Sequence, residues 1–243
     1  MASEIDASEY PAGYEPHIGV SRQYWRDIIL GVNDGLVSMF LLVVGVVGAG
    51  LTADQVLVTA VAGAIAGAVS MAAGEYLATK SQVEVLDAEL NLEKDHIRDF
   101  RDMEVAQLRG FFEDMGVADE ELDSVVAAVS RSDDTLLNAM ASLEFGVVES
   151  ERRSPYRAML VSGILFLAGS LTSVAPFVVF ESSTVALTWA AALSMAGLFL
   201  VGVVKARVAN GHLIKAGAEN MVIAGIGGLI AWFIGDAMGT VLT

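Results

Sequence analysis

Five apolar runs divide the chain, roughly Ile28–Gly50, Val56–Ala78, Tyr156–Phe180, Thr184–Val204 and Leu213–Leu242. Each is near or above the ~20 residues that a helix needs to cross the hydrocarbon of a bilayer. Small residues recur within them, as in "AVAGAIAGAVSMAAG" and "AGIGGLIAWFIG". Such residues let helices approach closely in lipid, and they are also ordinary span composition. Between the second and third runs the pattern changes. "SQVEVLDAELNLEKDHIRDF", "DMEVAQLRGFFEDMG" and "ADEELDSVVAAVSRSDDTLLNAMASLEFGVVESE" keep apolar residues at helical spacing, for example Leu108, Phe111, Phe112 and Met115, but set charge between them. This predicts three helices, with a break near Arg101 and a C-cap at Gly116. No stretch alternates as a strand would. The pattern predicts an all-α fold, a five-span transmembrane helical bundle with a three-helix insert between spans two and three. The corresponding divisions are a tail at 1–22, spans one and two in 23–80, the insert at 81–153, and spans three to five in 154–243.

Charge adds an orientation. All 14 Lys and Arg residues fall on one side of this five-span arrangement, and the loops "LTADQ" and "ESST" on the other side carry none. Positive residues flank the cytoplasmic ends of spans. The expectation is an integral, multi-pass membrane protein with N-terminus and insert in the cytoplasm and C-terminus on the opposite side. The opening "MASEIDASEYPAGYEPHIGV" lacks the positive start and apolar middle of a signal peptide, so it reads as a retained acidic tail.

The chain is 54% hydrophobic and 18% charged, with a net charge of −16. The insert alone holds 19 Asp/Glu against 7 Lys/Arg, a net of 7 − 19 = −12. A surface this acidic excludes nucleic acid, whose phosphates need a basic face. The acidity suits either metal capture or a high-salt cytoplasm. With no cysteine, disulfides and thiolate metal sites are excluded, and a metal would take carboxylate, imidazole, amide or thioether ligands.

Such groups are spaced for joint use in the insert. Glu89, Glu93 and His96 share one helical face, Glu104 and Gln107 are i, i+3, and Met140 and Glu144 are i, i+4. If the faces converge, the mixture suits a borderline ion such as Fe²⁺ or Mn²⁺ better than Ca²⁺. On spacing alone, a solvated acidic face fits them as well. Glu93 and His96 also form a Glu-x-x-His pair. Di-iron bundles need two such pairs, which argues against a ferroxidase.

Within the spans, Asp34 stands inside the first apolar run, and Met71 and Glu75 lie one turn apart in the second. A carboxylate in hydrocarbon costs roughly 2.5–3.5 kcal/mol on insertion scales, and such groups mark ion or proton routes. Asp27, seven residues before Asp34, shares its helical face nearer the interface. Asp27 and Glu75 are further candidates for a proton or ion path. For Asp27, Glu219 and Asp236, snorkelling at a span end is the competing account.

"RDIILGVNDGLVS", "SMAAGEYLATKSQ" and an acidic helical insert ending in "LEFGVVE" together resemble the vacuolar iron transporter family. The resemblance runs from about Gln23 to the C-terminus. It implies a homodimer that moves Fe²⁺, and also Mn²⁺, out of the cytosol in exchange for protons, with no organic cofactor. Co²⁺ and Zn²⁺ are further substrate candidates. It implies a pathway between subunits lined by Asp34 and Met71, and metal binding at the cytoplasmic mouth by Glu93, Glu104, Met140 and Glu144. His96 and Gln107 stand where the family has glutamate, and Ala141 where it has a second methionine. The alternative expectation is a membrane-anchored metal-binding or sensing protein that does not transport.

Overall fold

The computed structural model describes residues 21–146 and 153–242. The N-terminal tail through residue 20 and the expected end of the insert at residues 147–152 lie outside the described residues. All regular structure among the described residues is α-helical. The helices are α1 (Ser21–Gly48), α2 (Ala53–Asp99), α3 (Arg101–Asp114), α4 (Asp119–Val129), α5 (Asp133–Leu143), α6 (Pro155–Val179), α7 (Ser183–Val208) and α8 (Leu213–Leu242). Five of them, α1, α2, α6, α7 and α8, are long and apolar enough to cross a membrane. This is the expected all-α bundle, and the chain is an integral membrane protein.

Local chemistry sets the boundaries. Thr52 and Gln55 start α2, with the Thr52 N–H donating to Gln55 Oε1 at 3.0 Å. Pro155 opens α6, where its missing N–H costs nothing. Gly116 closes the turn after α3 at φ +86°, a conformation that glycine adopts without a Cβ penalty.

Two features of the insert differ from the sequence expectation. First, α2 does not stop at the membrane boundary. It runs unbroken for 47 residues, so the first insert helix is the direct continuation of span two. Second, the third expected helix is two helices, α4 and α5. Ser130 ends α4. Ser132 then begins α5, where its Oγ accepts from the Thr135 N–H at 3.2 Å, and Asp133 and Asp134 follow in the first turn. A serine cap with acids behind it satisfies free N–H groups and favours the positive helix end, so a new start outcompetes continuation. The helix also ends at Leu143.

In the membrane part, α6 is the central element, and α1 and α2 both pack extensively against it. The crossing of α1 and α6 depends on Gly35 and Gly169. A Cβ on Gly35 would collide with the Phe166 backbone, and one on Gly169 with the backbone at Val32 and Leu36. Backbone therefore meets backbone next to Asp34. Polar bonds cross other helix pairs. Ser173 and Ser194 hydroxyls lie 2.9 Å apart between α6 and α7, and Asn220 Nδ2 of α8 donates to Asn33 Oδ1 of α1 at 3.4 Å and to the Leu198 carbonyl of α7 at 3.3 Å. Such bonds contribute about 0.6 kcal/mol each on average in lipid.

The insert has its own core of Ile97, Leu108, Val126, Leu136 and Met140. α5 packs on the extension of α2 more extensively than on α3 or α4, which carries Met140 and Glu144 to the α2 wall.

Candidate functional site

Two constellations of chemistry-bearing residues stand on α2. The first is a cleft of about 530 Å³ between α1, α2 and α6 in the membrane part. From α1 come Asp34, Ser38, Met39 and Leu42, from α2 Gly63, Gly67, Ser70, Met71, Gly74 and Glu75, and from α6 Phe166. The residues follow helical spacing. On α1, Asp34 and Ser38 are i, i+4, and the Ser38 hydroxyl donates to Asp34 Oδ1 at 3.0 Å. On α2, Gly63, Gly67, Met71 and Glu75 recur every fourth position. The α2 wall is thus small where it faces α1 and carries its two functional groups one turn apart.

Asp34, Met71 and Glu75 are half-buried, while Ser70 and Gly74 on the same wall are exposed. The cleft therefore opens onto the exposed side of α2. It brings together the three span residues singled out from the sequence. It does not include Asp27, which is 3% exposed and ion-paired with Arg153 just before α6 and with Arg26 Nη2 at 3.4 Å. These guanidinium groups satisfy the buried carboxylate at the α1–α6 junction.

The second constellation lies in the insert. Glu93 and His96, on the extension of α2, face Glu104 on α3. His96 Nδ1 is 3.5 Å from Glu104 Oε1 and 4.0 Å from Glu93 Oε2, and one ligand atom from each of the three residues falls within 4.8 Å of the others. The two carboxylates are 3% and 6% exposed, and Glu93 Oε1 and Glu104 Oε2 are buried without a hydrogen-bond partner. Buried polar atoms normally find partners, so two orphaned carboxyl oxygens facing an imidazole are groups that a cation would satisfy. Burial pushes the Glu93 carboxyl up to about 7, and the negative charges of Glu104 and then Glu144 push in the same direction. Two buried carboxylates and an imidazole form a small mixed oxygen–nitrogen donor set of the kind that suits first-row divalent metals.

The remaining insert residues divide. Met140 is buried in the core with Ile97 and Leu108, each one residue from a cluster member or on its next turn. Glu144 caps α5 and is exposed, yet its charge is felt at Glu93. Gln107 and Glu89 are exposed and lie outside the cluster of three.

Ser38, Met39 and Ser70 were not singled out from the sequence. Ser38 had a readable signal, one turn beyond Asp34. Met39 had none, being one apolar residue in an apolar run. Arg153 was counted as a flanking charge, and its pairing with Asp27 needed the fold.

The model of the VIT family matches residues 25–236, most of the chain. The chain belongs to the VIT family. Relatives within it include "Vacuolar iron transporter 2" of Oryza sativa subsp. japonica, 30% identical over 88% of this chain and 87% of that protein. "Vacuolar iron transporter 1" of Tulipa gesneriana is 26% identical over 89% and 87%. "Protein CCC1" of Saccharomyces cerevisiae is 26% identical over 88% of this chain and 68% of its own length. The first two of these VIT relatives are named as transporters rather than enzymes. Among VIT chains the match covers both constellations, since Asp34 and Glu144 alike fall between residues 25 and 236.

Proposed function

We propose that this protein moves divalent metal, Fe²⁺ and also Mn²⁺, out of the cytosol in exchange for protons, and works as a homodimer. The observation that carries the reading is that one helix bears both constellations. Glu93 lies 18 residues beyond Glu75 on α2, about 27 Å at 1.5 Å per residue. The insert collects the ion with Glu93, His96 and Glu104, and Met140 and Glu144 complete the mouth. The cleft takes it onward with Asp34, Met71 and Glu75.

Membership of the VIT family and the names of its iron-transporting relatives support the substrate. The chemistry supports the coupling. A carboxylate in a low-dielectric cleft holds a metal ion or a proton but not both, because either one neutralises it. An inward proton therefore releases an outward metal at Asp34. The opening of the cleft supports the dimer. Ser70 and Gly74 of α2 line the cleft and are exposed, and a second copy seated over them would close the cleft into a path between subunits. The charge asymmetry supports placing the insert in the cytoplasm.

A metal buffer or sensor would need the insert cluster but not Asp34 in the membrane. The deciding experiment is metal uptake into sealed proteoliposomes with Fe²⁺, Mn²⁺, Co²⁺ and Zn²⁺, with and without a pH gradient. Metal accumulation driven by the gradient, with proton movement in the opposite direction, is the expected result. Metal binding without accumulation would favour the buffer.

A further inference from the structure

The cleft contains a sulfur that the transport reading leaves unused. Met39 is 2% exposed and stands on the cleft wall beside Ser38. Its Sδ and Cε lie against Gly63 of α2, 3.7 and 3.6 Å from where a Cβ would sit. Gly63 is itself part of the wall. With no side chain there, Leu42 of α1 fills the vacated space and the Met39 thioether lies beside it on the cleft wall. Met71 enters from α2 two turns further along. The cleft thus holds one sulfur from each of two helices, together with the carboxylates of Asp34 and Glu75.

The carboxylates attract any divalent cation, since their pull is mainly charge. Thioethers are neutral and polarisable, and they add to the binding of a soft ion while offering little to a hard one. We propose that Met39 is a second sulfur ligand of the cleft, and that the Met39–Met71 pair makes the pathway prefer softer divalent cations over hard ones. This rests on the reading that ions pass the cleft at Asp34. Its signature is a ratio between ions, because a change in packing alone alters the rate for every ion together.

The test uses the full-length protein in sealed liposomes, with initial rates for Mn²⁺ as the hard probe and Cd²⁺ as the soft one. Met39→Leu keeps the volume and the apolar character and removes only the sulfur. It is expected to lower the Cd²⁺ rate more than the Mn²⁺ rate, so that the Cd²⁺/Mn²⁺ ratio falls by roughly fivefold. Met71→Leu should lower the ratio as well. The chain has no cysteine, so Met39→Cys introduces a single thiol. That thiol is expected to react with a small membrane-permeant thiol reagent, to be protected by Cd²⁺, and to keep the soft-ion preference. An unchanged ratio in Met39→Leu, an equal fall for both ions, or a thiol in Met39→Cys that never reacts would each overturn the proposal. The two readings fail separately. Wild-type transport by Asp34→Asn removes the cleft reading and the proposal with it. An inactive Asp34→Asn beside an unchanged ratio in Met39→Leu removes the sulfur pair alone.

Discussion

The cleft and the insert cluster use similar groups under different conditions. In the cluster, two carboxylates are almost fully buried, two of their oxygens have no hydrogen-bond partner, and one carboxyl is raised to about 7. In the cleft, the carboxylates are half-buried, Asp34 is braced by Ser38, and the surrounding wall is glycine, serine and thioether. The cluster gains a great deal from a cation, because the ion relieves repulsion and desolvation together. Asp34 in the cleft already has the Ser38 hydroxyl as a partner, so on the reading proposed above the cleft holds an ion less firmly than the cluster. A transporter needs both properties in sequence, since a site that grips strongly collects ions from dilute solution and a site that grips weakly lets them go.

That contrast yields a ranked set of expected outcomes. The largest concerns Asp34→Asn, which keeps the shape and removes the charge. Transport is expected to fall by about a hundredfold or more, in line with the 2.7–4 kcal/mol attached to a lost group in a preorganised site, while calorimetric binding at the insert stays at wild-type strength. Loss of both would mean that the two regions are one cooperative site.

Next comes a plug. A Cβ at Gly74 meets nothing within 4 Å, so Gly74→Leu grows into the cleft rather than into a neighbour. Transport is expected to fall about tenfold for every ion, with insert binding and the melting temperature unchanged, because the added chain displaces the space the ion uses rather than packed atoms. A size-exclusion profile beside the flux assay checks that the protein is intact.

The insert should respond in a different parameter. Glu93→Gln or Glu104→Gln is expected to raise the metal concentration for half-maximal transport by about tenfold, and to lower the maximal rate by less than about twofold, as the loss of one charged ligand worth about 1.4 kcal/mol would do. A fall in the maximum instead would place these residues in the permeation step.

The pH dependence of the same carboxyl is the next expectation. Metal and proton compete for Glu93, so calorimetric affinity should decline as the pH falls through about 7. Stability of the metal-free protein should run the other way. Glu93 is raised from 4.5 to about 7 in the fold, so between those values the folded chain holds a proton that the unfolded chain has lost. Stability is then greatest below 4.5 in respect of this group and declines as the pH rises through about 7. Melting of the metal-free protein at pH values on either side of 7 should show the difference, and Glu93→Gln should flatten it. The smallest effect belongs to Gln107→Ala. Its side chain is exposed and outside the cluster, so insert affinity should change by no more than about twofold, as for most surface substitutions.

The sequence made the membrane part legible because lipid imposes a strong signature. Twenty apolar residues in a row have few other uses, and a carboxylate such as Asp34 or Glu75 stands out against them. The insert was harder to read. Val129 and Leu136 lie seven residues apart and so stay in helical phase across the polar stretch 130–135, and that phase alone reads one helix there. The cap chemistry of Ser132 with Asp133 and Asp134 was present, but it competed with a stronger hydrophobic signal. The cluster of three was partly visible as spacing. Only the packing of α3 on α2 brings Glu104 to His96, and no local pattern encodes that. Met39 was invisible because a packing methionine and a ligand methionine look alike in a run of apolar residues.

The continuity of α2 through the membrane boundary fixes a phase as well as a distance. Each residue added to an α-helix turns everything beyond it by about 100°. One residue inserted between Lys80 and Val83 would swing the insert carboxylates away from the azimuth they hold relative to Met71 and Glu75. Seven added residues would bring them back to within about 20°. The neck can therefore lengthen in steps of two helical turns and keep the alignment of mouth and cleft, whereas a single insertion or deletion would uncouple them without touching a ligand in either.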